Sequence, residues 1–122
     1  LVPTQQQRQG ETALVARLSR QWGALFVRFP GDNEAQGGCM AAGRGMFHIS
    51  PEGRLEHCPF SPYSDVSLAD MSLGSALQRS QLFAMIREQV GNLPGQPCRC
   101  LLFDNREWLA GVSAQCAVVR PA

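Results

Sequence analysis

The sequence predicts an α+β fold: a small β-hairpin with flanking helices, preceded by one helix–strand unit. Three observations predict it. Pro51-Glu52-Gly53 is a turn signal between two short alternating segments. After Ser72, leucine, phenylalanine, isoleucine and valine recur at helical spacing. Before Pro30, a helical pattern is followed by the apolar run Ala24-Leu25-Phe26-Val27-Arg28-Phe29. The 122 residues, 44% hydrophobic and 17% charged, suffice for one modest core. They are too few for a complete barrel enzyme of about 250 residues.

Residues 1–8 are polar, and a frayed lead-in is expected there, although Thr4 and Gln7 have the spacing of a capping box. From about Gln9 to Trp22 the apolar residues Leu14, Val15, Leu18 and Trp22 recur at helical spacing, and Gly23 is placed to stop the helix. The apolar run that follows reads as a buried strand closed by Pro30-Gly31-Asp32. A glycine-rich loop then carries Cys39 into the hairpin. In that hairpin Pro51 suits the first turn position and Gly53 the left-handed one. Pairing Ser50 with Arg54 sets Ile49 opposite Leu55, Phe47 opposite His57 and Met46 opposite Cys58. This register gathers Phe47, Ile49 and Leu55 on one face. It also leaves Cys58 at the open end, where the loop carrying Cys39 enters.

Pro59-Phe60-Ser61-Pro62-Tyr63-Ser64 is an irregular connector. Ser72 caps a short helix with Leu73, Ala76 and Leu77 inward. Ser80 caps a second with Leu82, Phe83, Ile86 and Val90 inward, stopped at Gly91. A Pro/Gly loop delivers Cys98 and Cys100. A last helix runs from Asn105 to about Val112, and residues 114–122 are a tail of undecided structure.

Charge excludes some classes. The net charge is +1, which provides no basic footprint for nucleic acid or an anionic membrane surface. No apolar run approaches the roughly 20 residues of a membrane span. All 11 basic residues are arginine, so no step that needs a lysine Schiff base or a phosphate-loop lysine is open to this chain. No charged leader with an apolar core is visible, and the expected location is cytoplasmic.

The five cysteines carry the chemistry. Their order is Cys39-x13-Gly53-x4-Cys58, a long gap, then Cys98-x-Cys100, with Cys116 in the tail. Two plus two thiols suit one tetrahedral or cubane centre. A 4Fe–4S cluster takes one thiolate per iron, and a structural zinc takes four ligands from Cys and His. Proline after a ligand cysteine, as in Cys58-Pro59, recurs in cluster motifs. The competing account is buried free thiols, among the most buried of residue types. Disulfides are a third account, weakened by the odd count.

The run Gly37-Gly38-Cys39-Met40-Ala41-Ala42-Gly43-Arg44-Gly45, then His48-Ile49-Ser50-Pro51-Glu52-Gly53-Arg54-Leu55, then Cys58-Pro59-Phe60, resembles the C-terminal auxiliary-cluster region of radical SAM proteins, the SPASM or shortened twitch domain. The signature of that region, Cys-x(9–15)-Gly-x4-Cys followed by further cysteines, is met by Cys39, Gly53 and Cys58. The resemblance extends over about residues 20–112. It implies one 4Fe–4S cluster held by Cys39, Cys58, Cys98 and Cys100. Full SPASM domains carry seven cysteines and two clusters, so this chain resembles the one-cluster twitch form. It departs from the family at Cys98-x-Cys100, where two intervening residues are usual.

The Cys-x3-Cys-x2-Cys motif that holds the SAM-cleaving cluster is absent. S-adenosylmethionine therefore belongs to a presumed upstream barrel, which is the expected partner, with a peptide or protein as candidate substrate. The implied layout is residues 1–36 as the end of that barrel, 37–113 as the cluster domain and 114–122 as tail. The cluster serves substrate positioning or electron transfer, and this chain by itself is not expected to cleave SAM. The alternatives are a structural zinc module, with His57 as an optional ligand, and a metal-free interaction module. For His57 itself the expectation is a partly buried, hydrogen-bonded side chain. Arg44, Arg54 and Arg99 are candidates to balance cluster charge, with solvated surface charge as the default. Asp65, Asp70, Asp104 and Glu107 show no paired-carboxylate spacing, and the glycine pairs precede no helix that would make a phosphate cradle.

Overall fold

The computed structural model describes residues 3–23, 37–96 and 99–116. Among them the chain is α+β, with five α-helices and one two-stranded antiparallel sheet. The expected strand over residues 24–29, the side chain of Cys98 and the tail beyond Cys116 lie outside the described residues.

Helix α1 spans Gln5–Trp22. It starts earlier than the apolar spacing alone indicates, so residues 5–8 of the expected frayed lead-in are helical. The capping box is the reason. The Thr4 hydroxyl accepts from the Gln7 N–H at 3.3 Å, and the Gln7 side chain accepts from the Thr4 N–H at 2.8 Å. Gly23, at φ 60°, ends the helix by donating to the Ser19 carbonyl at 2.9 Å. No residue of α1 is buried, and Trp22 is 71% exposed.

Strands β1 (His48–Ile49) and β2 (Leu55–Glu56) pair with Ile49 opposite Leu55 and His48 opposite Glu56, which is the expected register. The turn has the expected chemistry. Ser50 donates to the Arg54 carbonyl at 3.0 Å, Gly53 donates to the Ser50 carbonyl at 2.9 Å, and Gly53 sits at φ 75°.

The face that this register shares among Phe47, Ile49 and Leu55 is unevenly buried. Leu55 is fully buried, whereas Phe47 is 36% and Ile49 42% exposed. The hairpin is buried by strand rather than by face, because β2 is the inner strand. The connector runs along its far edge: Leu55 donates to the Val66 carbonyl at 3.3 Å, and Leu68 donates to the Gly53 carbonyl at 2.8 Å. Among the described residues β1 is the outer edge.

Helix α2 (Leu73–Arg79) is capped by the Ser72 hydroxyl and α3 (Gln81–Gln89) by the Ser80 hydroxyl, as expected. Leu82, Phe83 and Ile86 are fully buried, and with Leu55 and Ala76 they make the centre of the core. Leu73 is corrected: it lies in the first turn of a short helix and is 37% exposed. Gly91 is also corrected. It does not stop α3 in a left-handed conformation, because a 3-10 turn over Val90–Asn92 tightens the end instead. The connector is tied to α3 through Asp65, whose carboxylate accepts from the Ser80 hydroxyl at 2.6 Å and from the Leu82 N–H at 2.9 Å.

The last helical region is two pieces, α4 (Leu101–Asp104) and α5 (Arg106–Gln115), hinged at Asn105. The Asn105 amide donates to the Pro94 and Leu101 carbonyls, both at 2.8 Å. Helix α5 packs against α3, with Leu109 and Val112 buried and the Trp108 indole donating to Gln89 at 3.1 Å. Among the described residues no helix is long and apolar enough to cross a membrane.

Candidate metal centre

Cys39 follows Gly37-Gly38 and enters a tight turn. Gly45 and Met46 both donate to the Met40 carbonyl at 2.9 Å, closing the chain on itself. A Cβ on Gly45 would stand 3.0 Å from the Met40 sulfur and 3.1 Å from its Cβ, so any larger residue there would make the Met40 side chain give way. Ala42, at the tip, donates to the His57 carbonyl at 2.9 Å and so fastens the Cys39 turn to β2. Cys58 lies just past β2. Ser61 donates to its carbonyl at 3.2 Å, forming a turn with Pro59 in the position that suits its fixed φ. Cys100 is the residue immediately before α4 and is half-buried.

These three cysteines line one cavity of about 490 Å³. Its remaining walls are mainly apolar, including Met46, Phe60, Leu102 and Phe103, with Arg106 as the charged group. Cys39 and Cys58 are 7% and 5% exposed. Burial is the main cause that pushes both thiols above the ordinary range. The nearby Cys100 raises both further, and Cys39 raises Cys58, so the three sulfurs act on one another. Opposing this, a backbone hydrogen bond from Ala41 favours the thiolate of Cys39, and one from Phe60 favours that of Cys58. Each donor lies two residues after its cysteine. Arg44 also favours the Cys39 thiolate, and its guanidinium donates to the Cys39 carbonyl at 2.8 Å.

Among the described residues no group of three or more His, Cys, Asp or Glu side chains is arranged to hold a metal ion. The donor set nevertheless suits a cluster in its chemistry. Soft thiols converge on one cavity, backbone donors favour their charged form, and the cavity has room for a group larger than one ion. Cys98, two positions before Cys100, lies outside the described residues, so three of the four cysteines expected as ligands can be located, and these three line the cavity.

Other expected residues fall elsewhere. Cys116 is buried at the end of α5, where its thiol donates to the Met85 sulfur at 3.5 Å, apart from the cavity. His57 is fully buried rather than partly so, and the polar group that acts on its ring is the Tyr63 backbone. Burial lowers its pKa to about 4, and the Tyr63 backbone only partly opposes this. His48 instead pairs with Glu56 at 2.7 Å across the strands. Arg99 pairs with Asp104 at 2.6 Å. No motif marks Arg106 or Phe103, and Phe60 enters only through the run Cys58-Pro59-Phe60. The signal available was Phe103 and Arg106 three residues apart just after Cys100, hidden because α4 is too short to show a period.

No family model, curated protein or solved structure matches this chain.

Proposed function

We propose that this chain is an auxiliary 4Fe–4S cluster-binding domain of the twitch type. Its ligands are Cys39, Cys58, Cys98 and Cys100, and its place is in a cytoplasmic radical SAM protein. The observation that carries the proposal is the shared cavity of Cys39, Cys58 and Cys100, reached from three separate parts of the chain. Buried free thiols scattered through a core have no reason to share a cavity. The i+2 backbone donors at Cys39 and Cys58 support the same reading, because hydrogen bonds to the sulfurs stabilise cluster thiolates and tune their iron.

The bound cluster would supply one-electron redox chemistry or a Lewis-acidic iron. The chain's own residues hold the thiols in place, and the apolar walls limit water around them. Arg44 fixes the Cys39 carbonyl, and the Ala42–His57 hydrogen bond fixes the distance from the Cys39 turn to β2. In this reading the cluster positions a substrate, with a peptide or protein as the candidate, or relays an electron, and S-adenosylmethionine cleavage would belong to a separate barrel of the same protein.

The test is a set of single serine substitutions in anaerobically reconstituted protein. Cys39→Ser, Cys58→Ser, Cys98→Ser and Cys100→Ser are expected to abolish or greatly reduce bound iron, and Cys116→Ser to leave it unchanged. Iron retained in full by Cys58→Ser would sink the ligand assignment. Zinc bound in place of iron by the unmodified chain would favour a structural zinc module.

A further inference from the structure

The arginines adjacent in sequence to the cysteines differ in what they do. Arg99 is neutralised by Asp104 at 2.6 Å. The Arg44 guanidinium is engaged with the Cys39 carbonyl, so it holds a ligand in position. Arg54 lies in the hairpin turn, where its charge acts on Glu52. Arg106 is different. It is the cation that lines the thiol cavity, and among the described residues no carboxylate pairs with it. Its guanidinium carbon stands 5.7 Å from the centre of the Phe103 ring, which lines the same cavity.

We infer that Arg106 is a positioning charge that raises the reduction potential of a cluster held by these thiols; this rests on the cluster reading above. A 4Fe–4S group on four thiolates is an anion, and it gains one further negative charge on taking up one electron. A cation at the same cavity stabilises the more negative state more than the less negative one, so it favours reduction. The contact with the Phe103 ring, at 5.7 Å, biases the guanidinium toward the cavity mouth. Because Arg106 is exposed, its effect is screened by salt.

The experiment compares the unmodified chain, Arg106→Gln and Arg106→Lys after anaerobic reconstitution. Iron and sulfide are assayed, and the potential is measured by titration with a chemical reductant, followed by visible absorption and electron paramagnetic resonance. All three proteins are expected to hold equal iron and sulfide. Arg106→Gln is expected to titrate at a more negative potential, and Arg106→Lys to recover most of the difference. Raising the salt should shrink the gap between the unmodified chain and Arg106→Gln. Equal potentials in all three at equal iron content would overturn the role of Arg106 and leave the cluster reading standing. Loss of iron from Arg106→Gln would overturn it as well, by making Arg106 a structural residue. Failure of the unmodified chain to take up iron would instead defeat the cluster reading itself, and the role of Arg106 with it.

Discussion

At Ala42 the backbone takes φ 59°, in the left-handed region that a Cβ disfavours, and the residue has no exposed surface. The hydrogen bond from its N–H to the His57 carbonyl holds it there. Glycine would relieve the strain but lose a buried methyl, so Ala42→Gly should change stability by no more than about 1 kcal/mol. Ala42→Val adds a branched side chain to a full site in a conformation it tolerates poorly, and should cost about 3 kcal/mol. Urea denaturation of the two variants checks both values.

Cys116 supplies a second prediction at this scale. Burial, reinforced by Asp65, raises its pKa above the ordinary thiol value. The fold therefore favours its neutral form. The resulting stabilisation is complete below the unfolded thiol's pKa and is lost as pH rises through the higher folded value. In native protein Cys116 should label with iodoacetamide far more slowly than in urea at the same mildly alkaline pH. Equal rates would show that the Met85 contact does not shield it.

Residues such as Ala42 and His57 were the least legible in the sequence. Nothing local to Ala42 signals a left-handed alanine, because its hydrogen-bond partner, His57, lies 15 positions away just past β2. The burial of His57 likewise comes from elements remote in sequence.

Among the elements, local signals were read well where the chain itself satisfies its backbone groups. The Thr4, Ser72 and Ser80 caps and the Ser50–Arg54 turn are all short-range hydrogen-bond solutions, and the sequence shows both partners. Burial was read less well. The inner position of β2 depends on the 66–68 segment lying along it, and that segment has no strand pattern of its own. The link between connector and α3 is Asp65, which bonds both the capping Ser80 and the Leu82 N–H. Asp65→Ala removes the acceptor for two donors at one helix start and should cost about 2 kcal/mol. A loss within error by thermal unfolding would mean that Ser80 alone suffices as cap.

For the molecule as a whole, the pairing of Cys39 with Cys58 was legible because the hairpin register brings the loop to the open end of the strands. The arrival of Cys100 at the same cavity was not derivable from spacing. It depends on the packing of α5 against α3 and on Asn105 tying α4 back to Pro94. The apolar walls and Arg106 follow from the same packing, which is why they escaped the motif. The fold thus assembles its thiols from three regions around one core, with Cys116 left outside.

The proposed role of this assembly is to hold a cluster. It is tested by iron, acid-labile sulfide and zinc per chain after anaerobic reconstitution of the 122-residue chain. About four iron and about four sulfide per chain, in a brown protein, is the predicted result. A colourless protein holding one zinc, or no metal at all, would contradict it.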